Sequence, residues 1–531
     1  MDIEKIKHKN ILYASCQPYM FKLAEKLQSN KGWIPVYWLT NSRLEKKIQS
    51  TFPNVFCHNY IDAVKGIRPK SAKNVKSIDL SLKQIQALEH IEHIVITMLN
   101  RNDSNSNSFS YNERIEFYYR QVSYWIATLT QFKVDVVIFE EEPHQASDYI
   151  LYCVSNMLGV KTIMMMRTKA TMGLLPMERF EEGSKPLQDE YIKLIKNYST
   201  SNKLVLPQHV QDYFDILEGS YDTVVKEHLW NQLDRLKKVN KKSSSLSAFT
   251  PYVYFLKNGL DLKKLVARIQ LVTGDSFLSD QKVSGKYMDQ SKQTYIRSLF
   301  YKLITLRRKQ KNKAYYDKVS SDNLDLNSNY ILCALQYQPE KSTCPNGGRF
   351  VNQYLMVQML ANSLPPGWKL YIKEHPSQFV PDFTRYGEQY RNKHYYDSLL
   401  QYENTELVPL DLDMFELIDN SKGVACVGGT ICWEAIVRGK QALSFGHSWM
   451  NDCEGVNSIE SDADFEAALE IIVNEEIPDL DKIKLYANAI DNLGLYGAVG
   501  GPKQLDHYDI SVEENAECYY RGIELLESSK V

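Results

Sequence analysis

The segment GVACVGGTICWEAIVRGKQALSFG, residues 423–446, decides the fold. Gly423 to Val427 form a short, unbroken run of small and apolar residues, the composition of a strand covered on both faces. Gly428 and Gly429 end it, Thr430 stands where a helix cap belongs, and TICWEAIVRG reads as a helix. QALSFG, 441–446, is then a second apolar strand. Strand, helix and strand in that order make a parallel crossover, and a parallel sheet implies helices on both of its faces.

The same alternation extends upstream. YILCALQ (330–336) reads as a strand, RFVNQYLMVQMLANSL as a helix, PPGW as a turn and KLYIK (369–373) as a strand that Pro376 prevents from continuing. A helix to about Tyr402, the strand TELVP, the helix DMFELIDNS and then the opening segment complete a doubly wound sheet. A second sheet is expected near the amino terminus. There NILYAS, YMFKLAEKLQ and WIPVYWL begin a βαβ unit, and VDVVIF (134–139), QASDYILYCVSNMLG and VKTIMMM continue it. Between the two, from about 175 to 325, long polar and basic helices such as YDTVVKEHLWNQLDRLKKVNKK, broken by KKSSSLS, read as an insertion or bridge. The expected organisation is α/β: a Rossmann-like lobe over 1–175, a helical insertion over 176–325, a second Rossmann-like lobe over 326–505, and a last helix, 506–531, crossing back onto the first lobe. Ligands of such sheets bind at the carboxyl ends of the strands, here in the cleft between lobes.

Composition removes several function classes. At 531 residues, with 44% hydrophobic and 24% charged residues, the chain is long enough for two to four ordinary soluble domains. A formal net charge of -2 argues against wholesale nucleic-acid binding. Nine cysteines, odd in number and without a CxxC pair, fit reduced thiols rather than a disulfide framework or zinc site. The amino terminus is charged where a signal peptide needs an apolar core, and no apolar run approaches a membrane span, so a cytoplasmic protein is expected. GxSxG, GxxxxGK[ST], HExxH and post-strand GxGxxG motifs are all missing, which leaves serine hydrolase, P-loop, zincin and simple dehydrogenase readings without their main residues.

Loops at the strand ends supply the candidate residues. Gly428 and Gly429 admit close approach of a ligand to the backbone, Thr430 opens a helix whose N–H groups favour an anion, and Glu434 lies one turn in; an ordinary capped turn is the bland alternative. In KEHP, Lys373 and His375 are suited to a phosphate, with Glu374 and Pro376 beside them, unless they are merely solvated surface groups. QYQPEKSTCPNGGRF, 336–350, is polar and glycine-bearing, as a lining for a sugar or nucleotide is, with Gln338, Glu340, Ser342 and Thr343 as its candidates. In the first lobe Glu140, Glu141 and Glu142 follow a buried strand, where desolvation raises a carboxyl towards the range of a general base; capping charge is the other reading. SCQPYM, 15–20, occupies the matching loop after the first strand. KLITLRRKQKNKAYYDK, 302–318, holds seven basic residues and one acid: a solvated helix face, or a peripheral contact with the inner face of a membrane.

LQYQPEKST, YIKEHP and VGGTICWEAIVRGKQALSFGHSWM together resemble the bacterial capsule polysaccharide biosynthesis family, which includes Kdo transferases; the likeness is best over 330–450. It implies a GT-B-like fold with the acceptor on the first lobe and a nucleotide-sugar donor on the second. By that resemblance His375 and Pro376 belong to a CMP or CDP pocket, Gly429 and Thr430 lie near phosphate and Glu434 near ribose. The expected function is a glycosyltransferase of surface polysaccharide synthesis, using a CMP-linked ulosonic acid such as Kdo and a glycan or glycolipid acceptor, with no tightly bound cofactor or metal. A transferase using UDP- or GDP-sugars or CDP-glycerol, and a non-catalytic assembly protein of the same fold, are the alternatives.

Overall fold

The computed structural model describes residues 8–69, 78–103, 109–168, 173–198, 204–219, 295–380 and 387–529. Two six-stranded sheets organise them, and each has the same strand order. In the first the order is β3-β2-β1-β4-β5-β6, with β1 Lys9–Ala14, β2 Trp33–Thr40, β3 Phe56–Asn59, β4 Val136–Phe139, β5 Lys161–Arg167 and β6 Leu174–Met177. In the second it is β12-β11-β10-β7-β8-β9, with β7 Tyr330–Ala334, β8 Lys369–Lys373, β9 Thr405–Leu407, β10 Gly423–Cys426, β11 Gln441–Ser444 and β12 Val456–Ser458. Counted within each lobe both are the doubly wound order 3-2-1-4-5-6, so the direction of winding reverses between β1 and β4 and again between β7 and β10. The architecture is α/β and GT-B-like, with all pairings parallel except β5 with β6.

Central strands are legible as such because both faces are covered: β4, β7, β10 and β11 are buried at every residue. Successive residues of β7 enter different cores. Tyr330, Leu332 and Ala334 join the core continuous with the first lobe, while Ile331, Cys333 and Leu335 join a separate core with Leu370, Ile372 and Leu443, as the two-residue period of a strand requires. In β2, Pro35 has no N–H to give the ladder, and the pairing with β1 shifts register there, from Ile11–Pro35 to Leu12–Tyr37.

The strands β3, β6 and β12, three or four residues each, lie at or beyond the ends of the expected sheets, and Leu174–Met177 is an antiparallel strand where polar helices are expected to begin. Helices Lys185–Asn197 and Gln208–Glu218 pack on the second lobe, through Tyr191 against Tyr486 (ring centroids 4.9 Å apart) and Phe214 against Trp433 (6.1 Å). The expected helix over 221–242 and the serine-rich break lie outside the described residues. The last helix, Val512–Ser528, opens with a reciprocal Ser511–Glu514 capping box and lies on Pro18–Lys31, where Lys31 meets Glu527 at 2.8 Å and Lys26 meets Glu517. Its Tyr519 hydroxyl donates to the backbone carbonyl of Glu140 at 2.8 Å. No helix among the described residues is long and apolar enough to cross a membrane.

Candidate functional site between the lobes

At the winding reversal of the first sheet, the loops after β1 and β4 meet. Ser15 Oγ donates to Glu140 Oε2 at 2.7 Å and accepts the N–H of Gln17 at 3.2 Å. Burial pushes the Glu140 carboxyl up to about 7, helped by the negative charges of Glu141 and Asp148 and opposed by the hydrogen bonds from Ser15 and Gln17. A carboxylate in that range accepts a proton at neutral pH and releases it again, which is what a general base must do. The Cys16 thiol beside it is pushed up by burial and by Glu140, so it stays protonated.

The three glutamates divide by partner. Lys341, from the loop after β7 in the opposite lobe, donates to Glu141 Oε2 at 2.6 Å and to Glu142 Oε2 at 3.1 Å. Burial works against the Lys341 charge, but the two carboxylates outweigh it and hold the ammonium above its ordinary range. Arg101 makes a second tie across the cleft, donating to the His144 carbonyl at 2.6 Å and the Glu340 carbonyl at 3.1 Å. Glu141 and Glu142 thus serve the junction of the lobes, and Glu140 is the member of the run with the properties of a base.

The KEHP loop departs from expectation. Lys373 is 3% exposed, and its ammonium donates to the carbonyls of Pro409 (3.0 Å), Leu410 (3.2 Å) and Leu412 (2.8 Å), which consumes its three hydrogens. It fastens the segment after β9 and is not offered to a phosphate. Glu374 is buried in an ion pair with the wholly buried Arg391, and also accepts from the Tyr396 hydroxyl at 3.1 Å. His375 alone of the three charged or titratable groups keeps partial exposure. Its Nδ1 accepts the N–H of Ser377 at 3.1 Å, capping the short turn Pro376–Gln378, so in the neutral ring the proton sits on Nε2 as a donor.

Two of the four candidates in 336–350 are likewise spoken for. Gln338 is buried, with Nε2 on the Val351 carbonyl (2.6 Å) and Oε1 on Arg391 Nη1 (2.7 Å); Thr343 is buried and donates to the Glu340 carbonyl at 2.9 Å. Glu340 is an exposed side chain, and Ser342 is half-buried. At the other loop Thr430 has helical backbone angles and makes no side-chain cap, contrary to expectation, and the helix it precedes, Ile431–Val437, is two turns long. Gly428, Gly429, Thr430 and Glu434 remain half-buried at the sheet edge.

Residues not singled out from sequence complete this edge. A Cβ on Gly429 would collide with the amide nitrogen of Gln336, and one on Gly446 with the carbonyls of Val427 and Asn346, so the three loops after β7, β10 and β11 touch through glycines. His447 donates its N–H to the Asn346 carbonyl at 2.8 Å and packs edge-on against Phe180 of the first lobe, 5.8 Å between centroids. Burial pulls its imidazole below the ordinary range although Glu181 and Glu460 act the other way. The signal for Gln336 was its place two residues beyond β7, on the strand next to the reversal.

Comparison with known proteins gives three findings. Among solved structures, the chain is similar to the UDP-GlcNAc 2-epimerase of Methanocaldococcus jannaschii in complex with UDP-GlcNAc and UDP (10% identity, 92% of this chain and 100% of that one, TM-score 0.22). It is similar also to Anabaena Alr3699/HepE in complex with UDP-glucose (9%, 98% and 99%, TM-score 0.25) and to a glycosyltransferase of Rickettsia africae (11%, 98% and 99%, TM-score 0.22). No curated protein matches. Residues 272–472, which contain the whole second sheet with its glycine turn and KEHP loop, match the family model described as capsule polysaccharide biosynthesis protein.

Proposed function

We propose that the protein is a glycosyltransferase that moves a sugar from a CMP-activated ulosonic acid such as Kdo to a glycan or lipid-linked glycan. The observation that carries this reading is Glu140, a carboxyl pushed up to about 7 and oriented by Ser15 at the reversal of the first sheet. The donor lies along the edge of the second sheet, between the Gly428–Gly429 turn and His375. The acceptor hydroxyl attacks the anomeric carbon and gives its proton to Glu140. The bond from that carbon to the phosphate oxygen breaks, its electron pair leaves with CMP, and the Nε2 hydrogen of His375 stabilises the departing phosphate. The match of residues 272–472 to the capsule polysaccharide biosynthesis model supports the transferase class, and the cytidine nucleotide rests on the KEHP resemblance.

A lipid-linked acceptor fits the helix Tyr295–Val319. Lys309 and Lys313 turn inward, Lys309 onto the Val380 carbonyl at 3.1 Å, but Ile304, Arg307, Arg308, Lys311 and Lys318 are exposed at three- and four-residue spacings, along one side of the helix.

The test is thermal stability with free nucleotides. A ligand at a hundredfold excess over its dissociation constant stabilises by about 2.7 kcal/mol. CMP or CDP should raise the melting temperature more than UMP or UDP, purine nucleotides least, and His375→Ala should abolish the CMP shift. A larger shift with UDP or GDP moves the reading to those donors. No shift with any nucleotide, together with no donor hydrolysis, makes the protein a non-catalytic member of the fold.

A further inference from the structure

Two side chains at the reversal of the second sheet are held in place by their backbones yet leave their amide oxygens unpaired. Gln336 is 8% exposed. Its N–H donates to Gln353 Oε1 at 2.7 Å, and its carbonyl accepts from Gln353 Nε2 at 2.8 Å and Arg391 Nη2 at 3.3 Å. Asn346 is 5% exposed. Its N–H donates to the Lys341 carbonyl at 3.1 Å, and its carbonyl accepts from His447. Against this, Gln336 Oε1 and Asn346 Oδ1 are buried with no hydrogen-bond partner. The two flank one turn: the Gln336 amide nitrogen lies against Gly429, while the backbone beside Asn346 packs on Val427 and Gly446.

A buried acceptor without a partner is costly, and native interiors rarely keep one without a use. The group that satisfies a carboxamide oxygen has to bring a proton. An ionised phosphate has none, since its oxygens only accept, whereas a sugar or ribose hydroxyl both donates and accepts. We propose that Gln336 and Asn346 are the residues that recognise the hydroxyl-bearing part of the donor, turning from their unpaired positions to meet it, and so set which donor is taken. This rests on the donor site proposed above. Backbone hydrogen bonds pre-position both residues, and the missing side chains at Gly429 and Gly446 let the three loops close on one another, so that Gln336 and Asn346 stand beside the one turn.

The experiment uses Gln336→Met and Asn346→Leu, which keep size and remove the polar atoms. Replacing an unpaired buried polar group with an apolar one of similar shape is neutral or stabilising, so both variants without ligand should melt no lower than wild type. The probes are CMP, 2′,3′-dideoxy-CMP, CMP-Kdo and UDP-glucose, with dissociation constants measured by calorimetry. If the ribose supplies the hydroxyls, wild type should bind CMP at least tenfold more tightly than its dideoxy analogue, and the variants should bind the two alike. If the transferred sugar supplies them, the variants should lose at least tenfold for CMP-Kdo or UDP-glucose and keep wild-type affinity for CMP. Wild-type affinity of both variants for every probe that wild type binds overturns the inference and leaves the proposed function standing. Lower melting of both ligand-free variants overturns it too, by showing that the carboxamides are structural. Failure of wild type to bind any probe overturns the proposed function, and this inference with it.

Discussion

Replacing Glu140 with glutamine tests the base by a route independent of turnover. In the folded chain the carboxyl titrates at about 7, against 4.5 for the unperturbed group. At roughly 1.4 kcal/mol per pH unit this is about 3 kcal/mol, which partial exposure of the side chain trims to about 2 kcal/mol or a little more. The sign follows from proton counting. The folded state holds its proton to higher pH than the unfolded state, so this carboxyl's contribution is intact below pH 4.5 and is lost as pH rises through 7. Glutamine carries no such dependence, and its Oε1 still accepts from Ser15. Wild type and Glu140→Gln should therefore melt with some fixed offset near pH 4.5, and the variant should gain by about 2–3 kcal/mol by pH 8.5, several degrees in melting temperature. Transfer activity should rise with pH through about 7 in wild type and fall by roughly 100- to 10000-fold in the variant. A stability difference that does not change between pH 4.5 and 8.5 would refute the assignment, whatever the kinetics, because the carboxyl would then titrate alike folded and unfolded.

Two further outcomes separate binding from scaffolding. Lys373→Ala strips three carbonyls of their donor and should destabilise by about 3 kcal/mol or more, measured by denaturant melts, whereas His375→Ala, which removes a single cap, should cost about 1 kcal/mol and lose on the order of 100-fold in turnover. The reverse pattern would return Lys373 to the phosphate. Charge reversal of Arg307, Arg308 and Lys311 to glutamate should abolish salt-sensitive sedimentation with anionic liposomes at roughly 1 kcal/mol per residue. Wild type that fails to sediment at low salt reduces the basic face to solvated surface.

What the sequence discloses depends on how many residues carry each signal. A strand covered on both faces announces itself, as VVIF, YILC and GVAC do, because every position is apolar. The edge strands FCHN and VNS do not, because three or four half-buried residues have no pattern to read. The KEHP loop shows what a motif omits. Its composition suggests phosphate, but strand parity sets Lys373 on the same face as Tyr371, and Glu374 on the face of Leu370 and Ile372. Both therefore turn into the lobe, where Lys373 finds carbonyls and Glu374 finds Arg391, a partner 17 residues on that no local reading supplies. The last two glutamates of the acidic run, Glu141 and Glu142, were hidden in the same way, since their partner Lys341 comes from the other lobe.

That partnership leaves one carboxyl of the three without a cation beside it. Three adjacent carboxylates at a strand end repel one another, and burying them together uncompensated would push all of them up. A single ammonium from the opposite lobe compensates Glu141 and Glu142, while Glu140, with a hydroxyl and not a cation beside it, keeps the raised value. The arrangement exists only when the loop after β7 is docked on the loop after β4. Lys341 stands five residues from Gln336 and from Asn346 in the same loop, so the loop proposed to read the donor also supplies the cation beside the acidic run. On the proposed function, recognition of the donor and the charge balance around the acceptor's base therefore depend on one loop.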